Sequence, residues 1–163
     1  MKLLIHDLSE DNAKALRIDG AFIIAANEKA AHCMGCFGCW LRTPSRCVLK
    51  DRLQKTGGLF GEADEITVVS QNCYGGYSYA VKKVIDRSIA MSRPFFTYRG
   101  GKIHHILRYK NRPKLKVYLY GDMTEFEKEI AQELVTANGI NMGATDSELI
   151  TVNSYTQVLE VLL

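Results

Sequence analysis

The stretch that decides the fold is residues 66–89, ITVVSQNCYGGYSYAVKKVIDRSI. It opens with the apolar run Ile66–Ser70, whose length and β-branched residues are typical of a buried strand. A loop with two glycines follows, and Ser78 then offers a helix cap. Apolar residues continue at helical spacing through Tyr77, Val81, Val84, Ile85 and Ile89. The stretch therefore predicts a strand, a loop and a helix in succession.

The same alternation of predicted strands and helices extends over the rest of the chain. Four further apolar runs predict strands: Leu3–Ile5, Ala21–Ala26, Leu115–Tyr120 and Leu149–Val152. Strands separated by helices form right-handed crossovers and a parallel sheet covered on both faces. The predicted fold class is therefore α/β, a three-layer sandwich with a five-stranded parallel sheet in the order 2-1-3-4-5. We expect residues 1–163 to form a single domain of this kind.

Several further helices are predicted between the strands. Thr124 and Glu127 make a capping box, with Phe126, Ile130, Leu134 and Val135 as the buried stripe behind it. Asn138-Gly139 is the expected end of that helix. A weaker helix is predicted over Asp51–Ala63, a last one over Ser154–Leu163, and a short one capped by Ser9 after the first strand.

Ligands of such sheets bind outside the carboxyl ends of the strands, where the strand order reverses. Three segments are predicted to meet there: His6–Asp11, Gln71–Tyr77 and Tyr120–Met123. The longest connection, Arg93–Arg112, is predicted to be irregular. Its apolar and aromatic residues in Phe95–Tyr109 suit a flap over a ligand or a dimer arm, and a solvated loop is the alternative.

Four of the five cysteines fall in one window, with the spacing C-x2-C-x2-C-x7-C: Cys33, Cys36, Cys39 and Cys47. Thiolates at this spacing can hold an Fe–S cluster or, less often, zinc. Cysteines are also good small core residues, and this is the interpretation that leads on the residues alone.

The chain resembles the flavodoxin-fold NAD(P)H-dependent FMN reductase family, including its iron–sulfur flavoprotein branch. The first match is the cysteine window itself, from Cys33 to Cys47, with Lys50-Asp51 behind it. Three more follow in family-like order: Ala63-Asp64-Glu65-Ile66, the loop Asn72–Tyr77, and Lys83 leading to Asp86-Arg87. Together they cover roughly residues 20–90, and the combination is more specific than any one motif.

The resemblance implies an FMN-dependent oxidoreductase that takes hydride from NAD(P)H and passes electrons to a small acceptor. It implies that the cofactor-binding residues are Ser9, Gln71, Asn72, Cys73, Tyr74, Gly75, Gly76, Tyr77 and Gly121. No catalytic acid or base is predicted, because hydride transfer to a flavin needs none. No metal ligand is assigned under this interpretation.

The first loop departs from the family pattern, which has Ser, Thr and Gly around the FMN phosphate. Here the loop is His6-Asp7-Leu8-Ser9-Glu10-Asp11-Asn12, whose acids repel a phosphate. The resemblance therefore requires substitute groups, for which Arg93, Arg99, Arg108 or a partner subunit are candidates.

Two alternatives to the reductase stay open. One is an iron–sulfur flavoprotein that carries electrons, with a [4Fe-4S] cluster on Cys33, Cys36, Cys39 and Cys47. The other is a flavodoxin-like binding module that has lost its flavin, which the acids of the first loop favour. Fold alone does not decide between them.

Composition limits the partners. The net charge is +3 and no Lys/Arg run exceeds two residues, so we expect no nucleic-acid binding. No apolar run reaches membrane-spanning length, and cysteines without an export signal predict a cytoplasmic protein. Apolar residues in Phe95–Tyr109, together with Phe37 and Trp40, predict a homodimer or larger homo-oligomer.

Overall fold

A computed structural model describes residues 1–16, 20–99 and 101–162. Its main sheet has five parallel strands in the order β2-β1-β3-β6-β7. These are β1 (Lys2–His6), β2 (Ala21–Ala25), β3 (Glu65–Gln71), β6 (Lys114–Tyr120) and β7 (Asp146–Val152). When these five strands are numbered 1 to 5 along the chain, their order in the sheet is 2-1-3-4-5. The predicted fold class and strand order are therefore confirmed. That residues 1–163 make one domain stays a prediction.

Helices cover both faces of this sheet. The larger core lies under α3 (Thr56–Glu62), α4 (Tyr79–Arg87) and α5 (Glu125–Met142). The smaller core lies on the other face, where Leu4, Val69 and Tyr118 pack with Leu16 and with Val158 of α6 (Tyr155–Leu162). Two short helices, α1 (Glu10–Ala13) and α2 (Gly38–Leu41), complete the set. Alternate residues of each strand point to opposite faces, which explains why the strands are nearly continuous apolar runs.

The predicted caps are confirmed. Ser78 caps α4, because its hydroxyl accepts the Val81 N–H at 3.3 Å. Thr124 and Glu127 form the capping box of α5. Ser9 caps α1, although that helix has only four residues. The last helix also forms where expected, and its predicted end at Leu163 lies outside the described residues.

Three helix predictions were wrong in detail. Asn138-Gly139 does not end α5, which continues to Met142 and stops at Gly143 with φ 68°. Gly139 serves packing instead, since a Cβ there would lie 2.8 Å from Ser147 of β7. Phe126 and Ile130 are 69% and 37% exposed, so neither belongs to a buried stripe of α5. The weak helix begins at Thr56, because turns occupy residues 51–55.

The long connection is not irregular. It holds an antiparallel hairpin of β4 (Ser92–Arg99) and β5 (Lys102–Leu107) outside the main sheet. Residue 100 of its turn lies outside the described residues. Four of its apolar side chains are 65–72% exposed: Phe95, Phe96, Tyr98 and Ile103. The hairpin thus presents an apolar surface to solvent.

No helix within the described ranges is both long and apolar enough to span a membrane.

Candidate functional site

The carboxyl edge of the sheet brings together the segments that the sequence placed there. The Asn72 N–H donates to the Tyr120 carbonyl at 2.8 Å, and the Asn72 side chain donates to the Asp122 carbonyl at 2.9 Å. The loop Gln71–Tyr77 therefore lies beside Gly121. Ser9 lies at the same edge, in the loop after β1, and is exposed. The structure thus gathers the predicted site residues along one edge.

The loop after β3 is a tight two-residue turn. Cys73 and Gly76 exchange N–H···O bonds of 3.0 and 2.9 Å, and Tyr74 and Gly75 occupy the turn at φ 53° and 80°. The Gly75 N–H donates to the Asn72 Oδ1 at 2.9 Å. Three backbone donors of the loop are therefore already used within it.

The two ends of this loop have different surroundings. Tyr77 is buried and its hydroxyl accepts a 3.1 Å bond from Asn138, while burial raises the pKa of the phenol. Gly75 lies against α5, where a Cβ would come within 2.6 Å of the Glu127 carbonyl oxygen. Tyr74 is 84% exposed, and Gln71 and Cys73 are also exposed. The groups that can meet a ligand are thus Gln71, Cys73 and Tyr74, whereas Tyr77 belongs to the core.

The crevice between β1 and β3 holds a buried carboxylate. Asp7 follows β1 directly and is 9% exposed. Its Oδ2 accepts the Gln71 N–H at 2.9 Å and the Ser70 hydroxyl at 3.4 Å, and its Oδ1 accepts the Tyr120 hydroxyl at 2.9 Å. Burial, followed by the charge of Asp7, raises the pKa of Tyr120, so this phenol remains a donor. The sequence predicted that Asp7, as an acid of the first loop, would repel a phosphate. It did not indicate that Asp7 accepts hydrogen bonds within the chain.

The cysteine window forms a second candidate site, beside the last turn of α4. Cys33, Cys36, Cys39 and Cys47 all line one small cavity, whose other walls include Phe37, Leu49 and Ile89. Cys33 and Cys36 are exposed, whereas Cys39 is buried. Burial raises the pKa of Cys39, and the neighbouring thiols add to the effect. Among the described residues, no three His, Cys, Asp or Glu side chains are arranged to hold a metal ion.

A buried ion pair anchors this window. The Arg87 side chain has no exposed surface, and its two terminal nitrogens donate to the Asp51 carboxylate at 2.7 and 3.0 Å. Arg87 also donates to the Ala31 carbonyl at 2.7 Å. Hydrogen bonding from Arg87 is the chief reason why the pKa of Asp51 is lowered. The sequence singled out both residues within motifs, but nothing in their spacing indicated that they pair across 36 positions.

The apolar hairpin packs onto the same window. His105 lies between Trp40 and Phe96, with ring centroids 4.7 Å away from each. Trp40 in turn stacks on Phe37 at 5.0 Å, and its indole N–H donates to the Ile89 carbonyl at 3.1 Å. Three of the aromatic residues predicted to lie at an assembly surface, Phe37, Trp40 and Phe96, are therefore joined through His105.

Two of the arginines considered as substitutes for a phosphate site are engaged within the chain. Arg108 donates to the Ala90 carbonyl at 3.4 Å and to the Ser92 carbonyl at 3.3 Å. Arg99 donates to the His105 carbonyl at 3.4 Å. Arg93 is exposed on β4. None of the hydrogen bonds from Arg108 and Arg99 is made to the first loop.

Comparison with known proteins places the fold. No family model matches the chain, and no curated protein matches it. Among solved structures, an FMN-dependent NADH-azoreductase from Bacillus anthracis in complex with FMN aligns over 99% of this chain and 92% of its own, with 14% identity and a TM-score of 0.58.

Two other structures align over similar lengths. An NADPH-quinone reductase from P. pentosaceus covers 99% of this chain and 90% of its own, with 8% identity and a TM-score of 0.52. The Smu.1420 protein of Streptococcus mutans UA159 covers 99% and 96%, with 11% identity and a TM-score of 0.58. The flavodoxin-like fold expected from the resemblance is confirmed, and likeness at these identities establishes the fold alone.

Proposed function

We propose that this chain is a flavin-dependent oxidoreductase of the FMN-reductase type, which takes hydride from NAD(P)H and passes electrons to a small acceptor. One observation carries the proposal: the exposed part of the loop Gln71–Tyr77 lies at the carboxyl edge of the sheet. The same fold covers nearly the whole of an FMN-dependent NADH-azoreductase and of an NADPH-quinone reductase. Ligands of open α/β sheets bind at this edge.

The carboxyl edge suits the ring system of FMN but not its phosphate. Gln71 and Cys73 offer polar groups beside the exposed ring of Tyr74, and Gly121 leaves open space next to them. This combination suits a planar, amphipathic ring system. The phosphate does not fit, because the first loop offers Ser9 between acids and its crevice already contains the Asp7 carboxylate. We therefore assign this chain's contacts to the ring alone.

A bound flavin supplies the two-electron chemistry. The residues of this chain need only orient the ring, leave one of its faces accessible to the nicotinamide, and limit access of water. Tyr74, on the strained turn, is the residue placed to lie against the ring. No side chain is assigned as a catalytic acid or base, because the transferred hydride carries both electrons directly.

Assembly belongs to the same proposal. Phe96, Tyr98 and Ile103 share a hairpin face with His105, which packs against Trp40. We expect a second copy of the chain to cover the apolar surface that these residues form with Phe37. A homodimer or larger homo-oligomer in the cytoplasm is the expected form. Sedimentation at micromolar concentration tests this, and a clean monomer would contradict it.

The iron–sulfur alternative is favoured by one observation, that four cysteines line a single cavity next to the buried Arg87. Iron and acid-labile sulfide analysis of anaerobically purified protein separates this alternative from the reductase. Near-stoichiometric sulfide would favour the cluster, and metal-free protein would remove it.

Flavin titration tests the proposed function directly. We expect flavin fluorescence to change on binding at micromolar protein, and NADH or NADPH to be oxidised when flavin and a quinone acceptor are added. Tyr74→Ala should weaken flavin binding, whereas Tyr79→Ala, at a comparably exposed tyrosine on α4, should leave it nearly unchanged. If the chain binds no flavin, the reductase proposal is refuted. The alternative that remains is a flavodoxin-like binding module that has lost its flavin.

A further inference from the structure

The crevice between β1 and β3 is already occupied by an anion of the chain itself. The donors that converge there are the Gln71 N–H, the Ser70 hydroxyl and the Tyr120 hydroxyl, and all three meet the Asp7 carboxylate. Two main-chain bonds hold Asp7 in place: its N–H donates to the Val69 carbonyl at 3.3 Å, and its own carbonyl accepts from the Asn27 side chain. The carboxylate is therefore fixed from several sides.

The charged residues that follow Asp7 in the described part of the first loop add to the negative charge. Glu10 and Asp11 follow within four positions and are exposed, and Lys14, the next cation after them, is paired with Asp11 at 2.7 Å. The helix that begins there has only four residues, so its dipole is small. A phosphate brought to this loop would face negative charge, and the three donors at the Asp7 carboxylate are already bonded.

We infer that this chain binds flavins by their ring system and excludes the phosphate, so that riboflavin binds at least as tightly as FMN. The inference rests on the proposed function and narrows its ligand class to flavins whose 5′ end stays outside the crevice. A flavin held in this way exchanges with solvent, so it fits a substrate that is reduced and released better than a resident prosthetic group.

Asp7 is assigned as the residue that determines this specificity. Asp7→Asn keeps the shape of the side chain and an oxygen for the Tyr120 hydroxyl, but removes the negative charge. Since unit charges a few Å apart near a protein surface interact strongly, the FMN-to-riboflavin affinity ratio should rise by at least about tenfold in this variant. Glu10→Gln is the matched control: it removes one charge from the same loop at an exposed position, and should change the ratio by less than about threefold.

The experiment is a fluorescence titration of the full chain with riboflavin and with FMN at about 0.15 M ionic strength, where solvent-exposed charges are screened. In the wild type we expect riboflavin to bind as tightly as FMN or more tightly, and this comparison needs no variant to fold. FMN binding that is tighter than riboflavin binding by more than the error of the titration would overturn the inference but leave the proposed function standing. No binding of either flavin would overturn both, and an unchanged ratio in Asp7→Asn would overturn the assignment to Asp7.

Discussion

Replacement of Asp51 by asparagine tests whether the buried ion pair holds the cysteine window in place. Arg87 is fully buried and bound to Asp51 through both terminal nitrogens, so Asp51→Asn leaves a buried guanidinium facing a neutral partner. Breaking a buried pair on one side costs about 3–5 kcal/mol. We expect about 3 kcal/mol, the lower end of that range, because Asp51 is 23% exposed and its amide still accepts a hydrogen bond.

The pH dependence gives this prediction a second readout. Because Arg87 lowers the pKa of Asp51 in the folded state, the stabilisation is fully present above the unfolded value, about 3.9 for an aspartate. It is lost as the pH falls through the lowered folded value. The difference in the free energy of unfolding between wild type and Asp51→Asn should therefore be largest at pH 7 and shrink below pH 4.

Urea denaturation from pH 7 to pH 3 measures both effects. Asp86→Asn is the matched control, since Asp86 pairs with Lys82 on the exposed face of α4 and such pairs contribute only about 0–1 kcal/mol. If Asp51→Asn costs no more than Asp86→Asn at pH 7, or if its cost does not shrink in acid, the ion pair does not anchor the window as argued.

Three other changes have expected outcomes of their own. Thr124→Ala removes the capping box of α5 and should lower the free energy of unfolding by about 1 kcal/mol in urea titrations; no loss would contradict the cap. Gly75→Ala should lower the free energy of unfolding by at least about 1 kcal/mol more than Gly101→Ala, because both glycines have positive φ but only Gly75 lies against α5. Equal losses of unfolding free energy would show that the contact with Glu127 is unimportant. In native protein at pH 8, iodoacetamide should modify Cys33, Cys36 and Cys73 before Cys39, whose pKa is raised, as peptide mass spectrometry can show; early modification of Cys39 would contradict its burial.

The parts of the fold that sequence predicts are those governed by short-range patterns. Strands of a parallel sheet are buried on both faces, so runs such as Ile66–Ser70 stand out, and capping residues such as Ser78 act within three positions. The hairpin over 92–107 lacks this signal, because its exposed aromatic residues are mixed with basic and polar ones and resemble a loop. Gly139 misleads for a related reason: its small size serves a contact with β7 that the local sequence does not reveal.

The candidate sites show the same division between local and distant causes. The sequence places acids in the first loop, but the donors that surround Asp7 come from Gln71 and Tyr120, 64 and 113 positions away. The pairing of Arg87 with Asp51 likewise joins two separate motifs. Such contacts depend on how the strands are ordered, so they become visible only once the topology is known.

Packing within the fold explains the residue types at some positions of the loop after β3 but not at others. Gly75 is required by contact with α5, and Tyr77 fills the core, so neither needs a ligand to account for it. Tyr74 has no such explanation: it is a non-glycine residue at φ 53°, and its ring is 84% exposed at the carboxyl edge. A strained backbone that presents an aromatic ring to solvent gives the folded chain little stability by itself. Function at this edge is therefore best sought at Tyr74, and loss of flavin binding in Tyr74→Ala without loss of stability is the result that this reasoning requires.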